Sequence, residues 1–102
     1  MNENKEFDEV SIGEDELVFT TGVVSRLLAI PVWVLKQLDE GGIVSPPREK
    51  GASTLYSMRD LRKLQKAWHY INNVGVKMKG VKVIIQLEER IEILEERIGG
   101  EE

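Results

Sequence analysis

The chain has no cysteine and a single histidine, His69. That inventory excludes disulfide staples, thiolate zinc sites and cysteine-based metal sensing. Aromatic residues are scarce at 6%, and the one cluster, Trp68-His69-Tyr70, falls at successive helical angles, so it cannot form a base-stacking platform. No stretch approaches the ~20 apolar residues of a membrane span. The opening MNENKEFDEV is acidic and lacks the apolar core of a leader, so the sequence reads as soluble and cytoplasmic, with no membrane partner. No nucleophile stands beside a base, and neither a metal-ligand cluster nor a glycine-rich phosphate loop can be assembled. Glu88-Glu89 and Glu95-Glu96 read as the solvated side of a helix, not as a metal site. The sequence therefore predicts a protein that is not an enzyme and carries no cofactor.

What is present is 102 residues, 41% of them hydrophobic, enough for one modest core. The net charge of -4 hides a sorted distribution. Residues 1–19 carry seven acids and one base, residues 20–82 eleven bases and four acids, and residues 83–102 seven acids and two bases. A basic middle between acidic ends is the distribution expected when one surface meets phosphate.

Residues 1–18 read as an acidic arm, mobile or loosely docked. From Phe19 the texture changes. Thr20 or Thr21 can cap a helix whose apolar face is Val23, Val24, Leu27 and Leu28. Pro31 breaks it and opens a second helix, about Val32 to Glu40, with Val32, Leu35 and Leu38 inward and Gly41-Gly42 as its stop. Two short helices joined by about three residues predict a helix-turn-helix. Ile43-Val44-Ser45-Pro46-Pro47 and Ser53-Thr54-Leu55-Tyr56 are β-prone runs around the turn Arg48-Glu49-Lys50-Gly51, a small hairpin wing with a basic tip.

Ser57 and Asp60 have capping-box spacing and start a third helix with Leu61, Leu64, Trp68 and Ile71 on one face, broken at Asn72-Asn73-Val74-Gly75. A last helix begins near Met78 or Lys79 and stops at Gly99-Gly100. Its residues Ile84, Leu87, Ile91, Leu94 and Ile98 repeat at the a and d positions of a heptad, bordered by Glu88 and Glu95 on one side and Arg90 and Arg97 on the other. Two heptads are too short to be stable alone, so a partner helix is implied, and those five residues are the candidate dimerisation set. The expected fold is mainly α: a winged helix-turn-helix over residues 19–76 with a small β-hairpin wing, a C-terminal dimerisation helix over 77–98 forming a short coiled coil, and a tail over 99–102.

This order of parts resembles the MerR family of winged helix-turn-helix regulators. FTTGVVSRLLAIPVWVLKQLDEGGIVSP is similar to that family's first two helices, LYSMRDLRKLQ to its wing exit and third helix, and GVKMKGVKVIIQLEE to its entry into the dimerisation helix. The Gly-Val-Lys segment running straight into a short coiled coil is most similar to the heat-shock repressor branch, HspR. The resemblance implies a homodimer that binds paired half-sites on double-stranded DNA and regulates transcription, with stress and chaperone genes as targets. Phosphate positioning falls to Arg26, Lys36, Arg48, Lys50 and Arg62, groove insertion to Trp33, Lys36 and Gln37, and wing contact to Arg48, Lys50, Thr54 and Tyr56. Where the family carries an arginine- and tyrosine-rich run, this chain has Trp33-Val34-Leu35-Lys36-Gln37-Leu38, which shifts readout toward thymine methyls. An exposed Trp33 beside Val34 also fits an adaptor surface of the kind found in CbpM-type chaperone modulators, which bind a DnaJ-like co-chaperone.

Overall fold

The computed structural model describes residues 11–46 and 53–100. In chain order the elements are β1 (Phe19–Thr20), α1 (Thr21–Leu28), α2 (Val32–Glu40), β2 (Leu55–Tyr56), α3 (Met58–His69), a π-helical turn (Tyr70–Val74) and α4 (Met78–Gly100). The architecture is the expected mainly α winged helix-turn-helix.

Thr20 caps α1 by accepting the Val23 N–H at 3.3 Å, the bond predicted for a threonine at that position. The helix closes with Ala29 in the left-handed region at φ 54°, where few residues other than glycine sit. Ser25 fixes this turn, because its Oγ donates to the Ile30 carbonyl at 2.6 Å while its own carbonyl accepts the Ile30 N–H at 3.1 Å. Across the turn the chain bends by 109° between α1 and α2, within the range of a helix-turn-helix. Left-handed geometry at the end of α2 belongs to Gly42 (φ 77°), since Gly41 keeps a helical conformation.

The core consists of Val24, Ile30, Val34, Leu35, Leu38, Ile43, Val44, Tyr56, Leu61, Leu64, Ala67, Val81 and Ile85. Several inward assignments change. In α1 only Val24 is buried, while Val23 and Leu27 are exposed. These two sit about 60–100° around the helix from Val24, on the flank that α2 and α3 leave uncovered. In α2 the buried set is Val34, Leu35 and Leu38, and Val32 is exposed. At 100° per residue Val34 lies about 40° from Leu38, so it belongs to the inward arc that Val32 flanks from outside. Ala67 joins Leu61 and Leu64 in the buried face of α3, leaving Trp68 and Ile71 half-buried at the core's edge.

The small antiparallel pair joins β2 to β1, with Phe19 opposite Tyr56 and Thr20 opposite Leu55. The run beginning at Ile43 was the expected partner, but Ile43 and Val44 are both buried. Consecutive strand residues point to opposite faces, so two adjacent core residues suit a packed segment better than an open hairpin. The expected wing tip, with Arg48 and Lys50, lies outside the described residues.

Ser57 and Asp60 form the full reciprocal capping box: Asp60 N–H donates to Ser57 Oγ at 3.1 Å and Ser57 N–H to Asp60 Oδ2 at 2.9 Å. After α3, the π-helical turn ends at Gly75 (φ 83°), whose left-handed backbone reverses the chain into α4. Helix α4 continues through Gly99 and Gly100 and packs on the body through Val81 and Ile85. Among the described residues, no single helix is long and apolar enough to cross a membrane.

Candidate nucleic-acid interface

Helix α2 separates its residues cleanly. Val34, Leu35 and Leu38 anchor one side, and Trp33, Lys36 and Gln37 share an arc of roughly 100° on the other. All three are exposed, Trp33 to 64%. The inward residues fix the rotation of α2, so the outward three are presented together. Arg26 is exposed in the last turn of α1, one short turn before α2. Among the described residues, no carboxylate pairs with Arg26 or Lys36, so both cations remain available to an anion.

Burial of Val34 corrects the adaptor surface expected for Trp33 and Val34. Only the tryptophan faces outward, and Val34 contributes from beneath by packing. Thr54 is half-buried next to β2, and Tyr56, expected at the wing, is 2% exposed in the core, where its carbonyl accepts the Val18 N–H at 3.1 Å. Tyr56 thus supports the wing's base.

The basic middle of the chain divides into two groups. Arg59, Arg62, Lys63 and Lys66 of α3 are engaged within the fold. Lys63 pairs with Glu89 at 3.0 Å, and Lys66 with Glu88 at 3.4 Å and Glu92 at 3.6 Å, all across the groove to α4. Arg59 Nε donates to Asp15 Oδ1 at 2.9 Å, and Arg62 pairs with Glu14. The hydrogen bond and charge of Asp15 hold the Arg59 guanidinium still further above its ordinary range. Residues 13–16 of the arm, expected to be mobile or loosely docked, lie against α3: the Arg59 N–H donates to the Glu14 carbonyl at 3.1 Å, and Gly13 and Glu16 close a turn at 3.1 Å. These partners lie dozens of residues apart, and no local signal announces them.

Helix α4 has two working faces. Val81 and Ile85 meet the core, with Glu88 and Glu92 continuing that side toward α3. About 120° around, Leu87, Ile91, Leu94 and Ile98 form an exposed apolar stripe, which Val83 extends and Ile84 borders at half-burial. The sequence placed Ile84 in this stripe but missed Val83 and the body-facing pair. Near the start of α4, a Cβ on Gly42 would come 2.9 Å from Lys82 Nζ and one on Gly41 3.4 Å from Met78 Sδ. The end of α2 is thereby packed against the long helix that bears the stripe.

A family model described as "MerR HTH family regulatory protein" matches residues 19–100. A protein of Streptomyces coelicolor described as "Putative heat shock protein HspR" is 33% identical over 84 residues, 82% of this chain. The chain spans 56% of that relative's length. With the helix-turn-helix and the long C-terminal helix falling inside the matched region, the chain belongs to the MerR helix-turn-helix family of regulatory proteins.

Proposed function

We propose that the protein is a homodimeric, sequence-specific DNA-binding repressor of stress or chaperone genes, acting in the cytoplasm. The observation that carries this reading is the outward arc of α2, on which Trp33, Lys36 and Gln37 stand together while Val34, Leu35 and Leu38 lock the helix orientation. Lys36 and Arg26 supply phosphate contacts, with Arg48 and Lys50 of the wing adding to them. Gln37 bonds an adenine edge, and Trp33 lies against thymine methyls. Likeness to an HspR supports the choice of stress genes. The exposed stripe on α4 supports a homodimer, in which Leu87, Ile91, Leu94 and Ile98 are covered by the same residues of a second copy and Ile84 closes the edge.

The test is an anisotropy titration against duplex DNA from upstream of the protein's own gene. Log affinity is expected to fall linearly with log salt at about -0.9 per phosphate neutralised. Absence of salt-dependent binding to this and to unrelated duplexes refutes the proposal. A co-chaperone partner, the adaptor reading, loses Val34 to the core and keeps Trp33 with the exposed Val32 beside it on α2, a smaller apolar patch than the reading requires.

A further inference from the structure

Residues 13–16 form a small acidic turn seated on the first two turns of α3. Gly13 N–H donates to Glu16 Oε1 at 3.0 Å and Glu16 N–H to the Gly13 carbonyl at 3.1 Å. That closure presents the two residues at the tip, Glu14 and Asp15, to Arg62 and Arg59 respectively. The arginines stand at i and i+3, neighbours on one helix face. The turn is tethered at its far side by the Val18 N–H bond to Tyr56 and at its tip by the Arg59 N–H bond to Glu14.

We propose that this acidic turn is an autoinhibitory strap, occupying in cis two arginines that otherwise bind DNA phosphate. The inference rests on the DNA-binding reading above. Carboxylate and phosphate oxygens make the same charge-assisted demand on a guanidinium, so one replaces the other without rearranging the arginine. All four side chains are solvent-exposed, from 46% for Glu14 to 76% for Asp15, so the ion pairs hold weakly and exchange readily. The anchor at Val18 lies outside the exchange, so the strap can lift at its tip while β1 and β2 stay paired. A duplex must displace the strap to use Arg59 and Arg62, and the strap therefore sets a threshold against weakly bound, non-specific DNA.

The experiment is a double-mutant cycle in the full chain. Duplex affinity is measured at about 50 mM salt for the wild type, Glu14→Gln/Asp15→Asn, Arg59→Gln/Arg62→Gln and the combination, using the upstream duplex and a scrambled one. The strap variant is expected to bind about three- to tenfold more tightly, and the gain is expected to vanish when both arginines are replaced. An equal gain in both backgrounds indicates a generic loss of negative charge and overturns the strap. So does no gain at all while the wild type binds, an outcome that leaves the DNA-binding reading intact. If no variant binds any duplex, both proposals fall together. If the wild type fails to bind and the strap variant binds, both are supported.

Discussion

The Tyr70 hydroxyl donates to Glu88 Oε1, tying the π-helical turn after α3 to the middle of α4. Glu88 also receives Lys66, so one carboxylate gathers two groups from the same neighbouring segment. The bond to Glu88 raises the Tyr70 pKa above its ordinary value, with desolvation and the carboxylate's charge acting in the same direction. The folded chain therefore holds the phenol proton more tightly than the unfolded chain does. This contribution to stability is complete below about pH 10 and is lost as pH rises through the folded value. Stability curves of the wild type and Tyr70→Phe are expected to differ below that range and to converge above it. Curves that stay parallel through the alkaline range contradict the linkage.

The contrast between two adjacent residues in α2 gives a second prediction. Trp33→Ala removes an exposed side chain, and its stability is expected to stay within about 0.5 kcal/mol of the wild type, while duplex affinity falls. Val34→Ala empties part of the core and is expected to cost about 1.5–3 kcal/mol. Denaturant unfolding with a duplex titration separates the two effects. Equal destabilisation by both substitutions would mean that α2 is rotated from the orientation described.

Much of the local architecture was legible because its causes are local. The Ser57/Asp60 box, the Thr20 cap and the heptad stripe each depend on residues within a few positions of one another. Val34 was legible in principle, since it lies about 40° beyond Leu38 on the same inward arc of the helix, but the apparent inward role of Val32 displaced it. The charge partners were not legible. Glu88, Glu89 and Glu92 look like a solvated helix face until α3 brings Lys63 and Lys66 against them. Glu14 and Arg62 are likewise brought together only by tertiary packing. The basic excess of the middle block is thus smaller at the surface than a count along the chain implies.

The left-handed Ala29 predicts a gain from substitution. Its Cβ is strained at φ 54°, at a cost of roughly 1–2 kcal/mol, and Ala29→Gly relieves the strain while raising the entropy of the unfolded chain by about 0.4–1 kcal/mol. The balance is expected to favour the variant by about 0.5–1 kcal/mol, visible as a higher Tm. Ser25→Ala at the same turn is expected to lower stability by about 1 kcal/mol, because the Ile30 carbonyl loses its hydroxyl donor. A lower Tm for the glycine variant would show that the left-handed geometry is unstrained.

The orientation of the proposed dimer can be argued from Glu88. With Ile at a, Leu at d and Arg90 facing Glu95 of a second copy, the heptad by itself favours parallel helices. Antiparallel pairing brings like charges together, Glu88 toward the second copy's Glu95. In this fold Glu88 already has Lys66 and the Tyr70 hydroxyl as partners, so that repulsion is offset within each chain. The exposed pairs gained in the parallel form are each worth only about 0.2–1 kcal/mol, so packing of the two bodies decides, and antiparallel helices are expected. Centred near Ile91, such a pair places the two Ile98 positions about 21 Å apart, far beyond the ~7 Å that a disulfide bridges. The chain has no native cysteine, so Ile98→Cys reports on this position alone. Little self-coupling is expected under oxidising conditions, with Ile91→Cys coupling more efficiently; efficient 98-to-98 coupling establishes the parallel form instead.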